Sequence, residues 1–265
     1  MNDTPLKIPR IIHQIFFKGQ LPLRLEQQVA ELRARNSRWS HVLYDGAKAE
    51  HFIFSNYGHE IMECYHSINP EYGAARADLL RHLIIFKVGG VYLDIKSDLK
   101  LPLDQILRTD DQYILTQWPH RLGEVCEGLG LHHDLSHVPG GEYQSHHIIA
   151  VPGHPFSKAV IDRIVANINN YRPWSGVGRT GVLRTTGPIA YTLAVSQMLA
   201  TAPHRFATEQ EIGATLSIAN YDHSGVFPRH YSKLKSPIAR LSSAGRITQS
   251  IIEWLRKIKQ RLKNS

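Results

Sequence analysis

The chain has 265 residues, 42% of them hydrophobic and 20% charged. That balance excludes disordered and collagen-like classes and supplies a substantial core for one large domain. Its net charge of +8 is unevenly placed: residues 1–228 hold 21 Lys and Arg against 22 Asp and Glu, whereas residues 229–265 hold 10 against the single Glu253. This asymmetry argues against an evenly basic nucleic-acid face and for a near-neutral body with a basic C-terminal device. The longest apolar stretches, such as residues 79–86, stop far short of the roughly 20 residues that cross a bilayer. Residues 1–10 show no apolar run with a small-residue cleavage site, so the expected location is the cytoplasm. Cys64 and Cys126 have no CxxC spacing and are expected to be free, buried thiols.

Residues 8–17, IPRIIHQIFF, are a β-branched and aromatic run expected to form a buried first strand. Residues 23–36 place Leu25, Val29 and Leu32 at amphipathic helical spacing, and a short strand follows over 41–44, ending at Asp45-Gly46. Residues 47–67 read as one or two helices broken near Gly58. Residues 72–88 read as a mostly buried helix, stopped by Gly89-Gly90. One of these glycines is expected to take a left-handed cap, and the other to turn the chain at once into a strand over 91–93. Further strands are expected over 113–117 and 147–151, a helix over 156–170, and another helix after Thr186-Gly187-Pro188. This alternation specifies an α/β protein with a largely parallel sheet. Asp94 then falls at the carboxyl end of a buried strand, where open α/β sheets bind ligands.

The stretch that carries chemistry is YGAARADLLRHLIIFKVGGVYLDIKSDLKLPL, residues 72–103. Asp78 and Arg81, three apart on one helix face, are costly to bury unless they meet each other or a ligand. Asp94 arrives sixteen residues after Asp78, with Lys96, Ser97 and Asp98 directly following. His132, His133, His137, His146 and His147 also crowd one region. Pro139, Gly140 and Gly141 deny that region a helical metal frame, which favours a polar substrate loop over a zinc site.

Asp78-Leu-Leu-Arg81 followed by Gly89-Gly90-Val-Tyr92-Leu-Asp94 resembles the DxD-containing sugar transferases. That family includes the initiation-specific α-1,6-mannosyltransferase, bacterial capsule and lipopolysaccharide glycosyltransferases and, more distantly, the glucosylating domains of clostridial toxins. IPRIIHQIFFKG at 8–19, EYQSHHIIAVPGHPF at 142–156 and TTGP at 185–188 extend the likeness over most of the chain. The resemblance implies a GT-A fold, with a mixed, mainly parallel central sheet flanked by helices, that binds a nucleotide-diphosphate sugar. It implies that Phe16 stacks on the base, unless that ring is simply core. Asp78 and Arg81 would face the sugar hydroxyls and the pyrophosphate, unless they form only an internal ion pair. Tyr92 and Asp94 would belong to the donor site, Asp94 meeting the ribose and the metal-diphosphate unit.

Lys96 departs from the pattern, standing where an aspartate would hold Mn2+ or Mg2+. An ammonium cannot ligate a cation, and two accounts follow. In one, Asp94 binds the metal with Asp98 or a C-terminal acid or histidine; in the other, Lys96 itself neutralises diphosphate charge. The third possibility, Lys96 facing solvent, leaves it no role. Asp78, Arg81, Asp94 and Lys96 are thus the expected catalytic set, and His230 in the segment Arg229-His230-Lys233 is a further candidate for the donor. The implied reaction moves a hexosyl group from a UDP- or GDP-sugar to a saccharide or lipid-linked saccharide hydroxyl, with retention, in bacterial surface polysaccharide synthesis. A non-catalytic saccharide-binding protein and a zinc hydrolase are the competing classes. Residues 1–245 are read as the transferase domain. Residues 246–265 place Ile247, Ile251, Trp254, Leu255, Ile258 and Leu262 at helical spacing, with Arg256, Lys257, Lys259, Arg261 and Lys263 among them. Such a helix suits the inner face of an anionic membrane or docks on its own domain.

Overall fold

The computed structural model describes residues 5–119, 123, 124, 126–172, 174–216, 231–241, 247 and 258. The first strand, β1 (Ile11–Ile15), is shorter than its apolar run. Helix α1 (Leu23–Arg35) follows Pro22 and buries Leu25, Gln28, Val29 and Leu32, one stripe at the predicted spacing. After β2 (Ser40–Tyr44), the Asp45 carboxylate accepts the Lys48 amide at 2.8 Å and starts α2 (Gly46–Ser67). Gly58 kinks α2 with φ +72°. Helix α3 (Gly73–Val88) is buried on nearly every side, as a central helix must be when it is apolar all round.

Gly89 and Gly90 join α3 to β3 (Gly90–Leu93). Gly89 has φ +68° and ψ −166°, so its φ is positive as expected but its ψ lies outside the left-handed helical basin. Gly90 has φ +99°, and a Cβ there would stand 2.5 Å from the Ile11 carbonyl oxygen. The second glycine is therefore required by the close approach of β3 to β1.

Beyond β3 come β4 (Asp98–Leu99), α4 (Leu103–Ile106), β5 (Tyr113–Leu115) and β6 (His147–Ala150). Helices α5 (Pro155–Asn169), α6 (Gly178–Thr185) and α7 (Pro188–Ser196) follow. The described body closes with β7 (Arg205–Phe206), α8 (Glu209–Ile212) and β8 (Ala214–Thr215). Six strands form one sheet in the order β2-β1-β3-β6-β5-β7, and β4 pairs with β8 in a separate ribbon. β1 is parallel to both β2 and β3, and β5 to β7, whereas β6 is antiparallel to both of its neighbours. The sheet is mixed and mainly parallel, as expected.

Alternation along the central strands divides the core. Tyr92, Ile148, Tyr113 and Leu115 face a cluster built with α2, α3, α5 and α7. Val91, Leu93, Ile149 and Ile114 face a second one with Leu32, Leu103 and Ile212. Helices therefore cover both faces, and the strand ends are left to form a site. Cys64 is buried and Cys126 only partly so, and both are free. Among the described residues no helix is long and apolar enough to cross a membrane.

Candidate active site

A cleft of about 410 Å³ opens along the carboxyl ends of β1, β3 and β5, lined among others by Phe16, Asp78, Arg81, Tyr92, Asp94 and Lys96. The amino end of β6 reaches the same edge because that strand runs backwards. Six predicted residues from three elements thus meet in one place. Phe16 stands just beyond β1, 5% exposed, packed with Leu25, Val29 and Ile95 while lining the cleft. It is both core and wall.

Asp78 and Arg81 sit on α3 with their side chains 8% and 7% exposed, in direct ion-pair contact. The other Asp78 oxygen accepts the Thr186 hydroxyl at 2.8 Å. Arg81 Nη1 donates to the Ser145 carbonyl at 2.5 Å and lies 3.5 Å from Asp94 Oδ1. Its guanidinium carbon stands 5.0 Å from the Tyr92 ring centroid, a cation–π distance. The Tyr92 hydroxyl donates to Asp94 Oδ1 at 2.7 Å. Arg81 is thereby the hub of two carboxylates, the Ser145 and Ala77 carbonyls and one ring. Burial pushes the Asp78 carboxyl up, against the pull of Arg81 and Thr186. Burial alone would lower the Arg81 pKa, but Tyr92, Asp94 and Asp78 outweigh it and raise it, so the guanidinium stays cationic.

The loop after β3 is fixed by its backbone. The Asp94 amide donates to the His146 carbonyl at 2.8 Å, and the Ser97 amide to the Asp94 carbonyl at 2.8 Å. Asp94 and Lys96 line the cleft. Asp98, the second expected metal ligand, belongs to β4 and pairs with Arg35 Nη2 at 2.5 Å, outside the cleft lining. Asp94 and Asp98 therefore do not fit a shared divalent ion. Among the described residues no three His, Cys, Asp or Glu side chains gather as a metal cluster.

The histidine-rich region also resolves into separate contacts. His132 Nε2 lies 2.8 Å from Glu142 Oε2, whose other oxygen accepts the Trp118 indole N–H at 2.9 Å. His146 and His147 are buried neighbours on the amino side of β6. His133 lies in a single 3-10 turn and His137 is exposed. Trp118, His132, Glu142 and His146 line the cleft, which makes this segment a wall and leaves the zinc reading without a ligand set. His230 lies outside the described residues, as does the chain from 217 to 230 and, apart from Ile247 and Ile258, the 246–265 segment.

Sequence reasoning missed the roles of Thr186, Ser145, Glu142, Arg179 and Tyr231. Thr186 and Ser145 lay inside motifs already singled out, so their polarity beside an apolar strand and helix was the available signal. Arg179 lines the cleft from a segment with no pattern of its own, and Tyr231 lines it from within the Arg229-His230-Lys233 segment, where its charged neighbours give the stronger signal.

Residues 22–113 match the family model described as "Glycosyltransferase sugar-binding region containing DXD motif". This region is similar to the sugar-binding region of DXD-containing glycosyltransferases. Its DXD tripeptide reads Asp94-Ile95-Lys96, with the lysine in the third place. The chain is 32% identical over 104 residues to inositol phosphoceramide mannosyltransferase 1 of Schizosaccharomyces pombe, spanning 38% of this chain and 32% of that one. It is 22% identical over 199 residues to mannosyl phosphorylinositol ceramide synthase CSH1 of Saccharomyces cerevisiae, spanning 72% and 50%. The chain thus spans about a third to a half of the length of these curated relatives. Among solved structures, the PaToxG glycosyltransferase superposes with a TM-score of 0.51 at 14% identity, covering 73% of this chain and 70% of that one. The fold is that of the GT-A glycosyltransferases. The DXD segment accordingly lies at the carboxyl end of β3, beside the cleft.

Proposed function

We propose that the cleft binds a nucleotide-diphosphate sugar and that the protein transfers its hexosyl group to a hydroxyl of a saccharide or lipid-linked acceptor, with retention. The observation that carries this reading is the Arg81 hub, which brings Asp78, Asp94 and Tyr92 together in a cleft that also holds Phe16 and Lys96. Each part has chemistry suited to one part of such a donor. The Phe16 ring offers a π face to the base. A carboxylate accepts from adjacent sugar hydroxyls, which suits Asp78 and Asp94, and a guanidinium presents fixed donors to phosphate oxygens.

In the transfer, the bond from the anomeric carbon to the β-phosphate oxygen breaks while the acceptor oxygen bonds to the same face of that carbon. The acceptor's proton passes to the departing phosphate oxygen. Charge develops on that oxygen, so preorganised cations lower the barrier more than a strong protein base would. Arg81 and Lys96 are the cations beside Asp94 for this work. DXD glycosyltransferases commonly use a divalent ion; Asp94, at the cleft, is the residue that would hold it, and no step here is routed through one.

The relatives' names carry mannosyl transfer to an inositol-bearing ceramide, which supports mannose as the sugar and a lipid-borne polyol as the acceptor. The basic amphipathic segment 246–265, appended to a body of residues 1–245, supports a peripheral site on an anionic membrane surface where such acceptors reside. Binding of UDP and GDP to the full chain, followed by titration calorimetry, tests the donor site. One nucleoside diphosphate is expected to bind, and Asp94→Asn and Arg81→Lys are expected to weaken it at least tenfold. No binding of either, or equal binding to all three proteins, would refute the reading.

A further inference from the structure

A chain of hydrogen bonds under the cleft fixes the protonation of every member from one end to the other. Glu209, a carboxylate that only accepts, receives the Gln144 side-chain amide, so the Gln144 carbonyl oxygen faces the other way. That oxygen accepts the Thr116 hydroxyl at 2.8 Å. Thr116 has one proton and has spent it there. His147 Nε2, 2.8 Å from Thr116 Oγ1, must therefore donate. Burial keeps His147 neutral by pushing its pKa well below the ordinary value, so its Nδ1 is a bare acceptor. His146 Nε2 lies 3.1 Å from that Nδ1 and so carries the proton of its own ring.

What is left is the His146 Nδ1 lone pair. With the ring proton on Nε2, directed at His147, Nδ1 of the buried imidazole is an acceptor. It is buried and has no hydrogen-bond partner among the described residues. The ring is 5% exposed, stacks on Trp118 with centroids 5.6 Å apart, and lines the cleft. Native proteins rarely leave such a group unpaired, because the loss of water's hydrogen bond is uncompensated. Five groups in series hold this one acceptor in a single tautomer, at the wall of a cleft built for a polyhydroxylated ligand.

We propose that His146 is a specificity-determining residue whose Nδ1 accepts a hydrogen bond from one hydroxyl of the transferred sugar. The donor side is favoured because the His146 carbonyl accepts the Asp94 amide and because Arg81 and Lys96 are the charges acting on its ring. The inference rests on the glycosyl-transfer reading above. A site with a fixed buried acceptor discriminates strongly against a ligand that lacks the matching hydroxyl, since the acceptor is then left unpaired.

The test is nucleotide release from the accepted donor and from its monodeoxy analogues, by wild type, His146→Gln and His146→Asn. Gln keeps a donor toward His147 but removes the Nδ1 acceptor, and Asn keeps a carbonyl oxygen near the Nδ1 position. Wild type is expected to disfavour one deoxy donor by about 10- to 100-fold in kcat/KM, the cost of one unpaired buried acceptor. His146→Gln is expected to lose a similar factor on the parent donor and to become indifferent to that deoxy position. His146→Asn should retain part of the discrimination, and it carries the test if the Gln variant does not fold. Unchanged discrimination against every deoxy donor in both variants would overturn the proposal. A loss of discrimination confined to deoxy acceptors would overturn the donor-side assignment. Absence of turnover of any donor by wild type would overturn the transfer reading and this inference with it.

Discussion

Arg81→Lys keeps the charge at the hub and removes its geometry. The guanidinium donates from separate nitrogens to Asp78 and to the Ser145 carbonyl and lies over the Tyr92 ring, whereas one ammonium cannot serve all three. With the side chain 7% exposed, water does not fill the gap. Leaving the Ser145 carbonyl unpaired costs about 1–3 kcal/mol, and the lost contact with Tyr92 adds about 1 kcal/mol. The expected destabilisation of about 2–4 kcal/mol corresponds to a fall in Tm of about 5–12 °C for a domain of roughly this size. Urea unfolding and a thermal scan measure the stability, and donor turnover at 15 °C, where the variant stays folded, measures the function. There kcat/KM is expected to fall at least about 100-fold, the loss associated with removing one well-placed charge-stabilising donor. A variant destabilised by this amount but fully active would make Arg81 a structural ion pair only. A change under about 1 kcal/mol would refute the hub itself.

Lys96→Asp places two carboxylates where wild type has one carboxylate and one ammonium. In the presence of chelator its turnover is expected to drop at least 100-fold, with Mn2+ recovering at least tenfold; wild-type rates in chelator would contradict a role for the Lys96 charge. Stability is expected to fall on acidification. Burial lowers His13 and His41 to about 4 and His146 to about 3, so the unfolded chain binds more protons below pH 6.5, and the stability present above pH 6.5 is lost as pH falls toward 4. With His41, which is partly exposed, discounted for solvent screening, the slope in that window is expected to reach about 2–3 kcal/mol per pH unit, read from urea midpoints, and a flat profile from pH 7 to 4.5 would contradict the neutral buried histidines. Flotation with anionic vesicles is expected to carry the full chain and leave behind a chain ending at Ala244; equal behaviour would remove the membrane role of 246–265.

The body of the fold is legible in the sequence where periodicity is strong. The stripe of Leu25, Val29 and Leu32, the glycine-closed apolar helix before β3 and the end of β2 at Asp45-Gly46 all announce themselves through short-range physics. Short elements do not. β4, β7 and β8 are two-residue strands, too brief for alternation to show, and they exist because distant segments dock. α6 has the weak pattern GRTGVLRT and depends on close packing, since a Cβ at Gly181 would stand 2.6 Å from the Gly176 backbone. At the site, Asp78, Arg81 and Asp94 were readable because charges in an apolar helix and at a strand end call for a reason. The pairing of Asp98 with Arg35 was not legible, because sequence adjacency to Asp94 hides the turn between them. His146 was hidden among sixteen histidines, since only its partners reveal which nitrogen is bare.

The cleft organised by Arg81 is expected to turn over a nucleotide-diphosphate sugar. This is tested most directly by nucleotide release from a panel of UDP- and GDP-sugars, GDP-mannose included, with a polyol-bearing lipid acceptor present and Asp94→Asn as control. Turnover of one donor by wild type, reduced at least 100-fold in the folded Asp94→Asn variant, is the predicted result. No turnover of any donor with or without Mn2+, or equal turnover by both proteins, would contradict it.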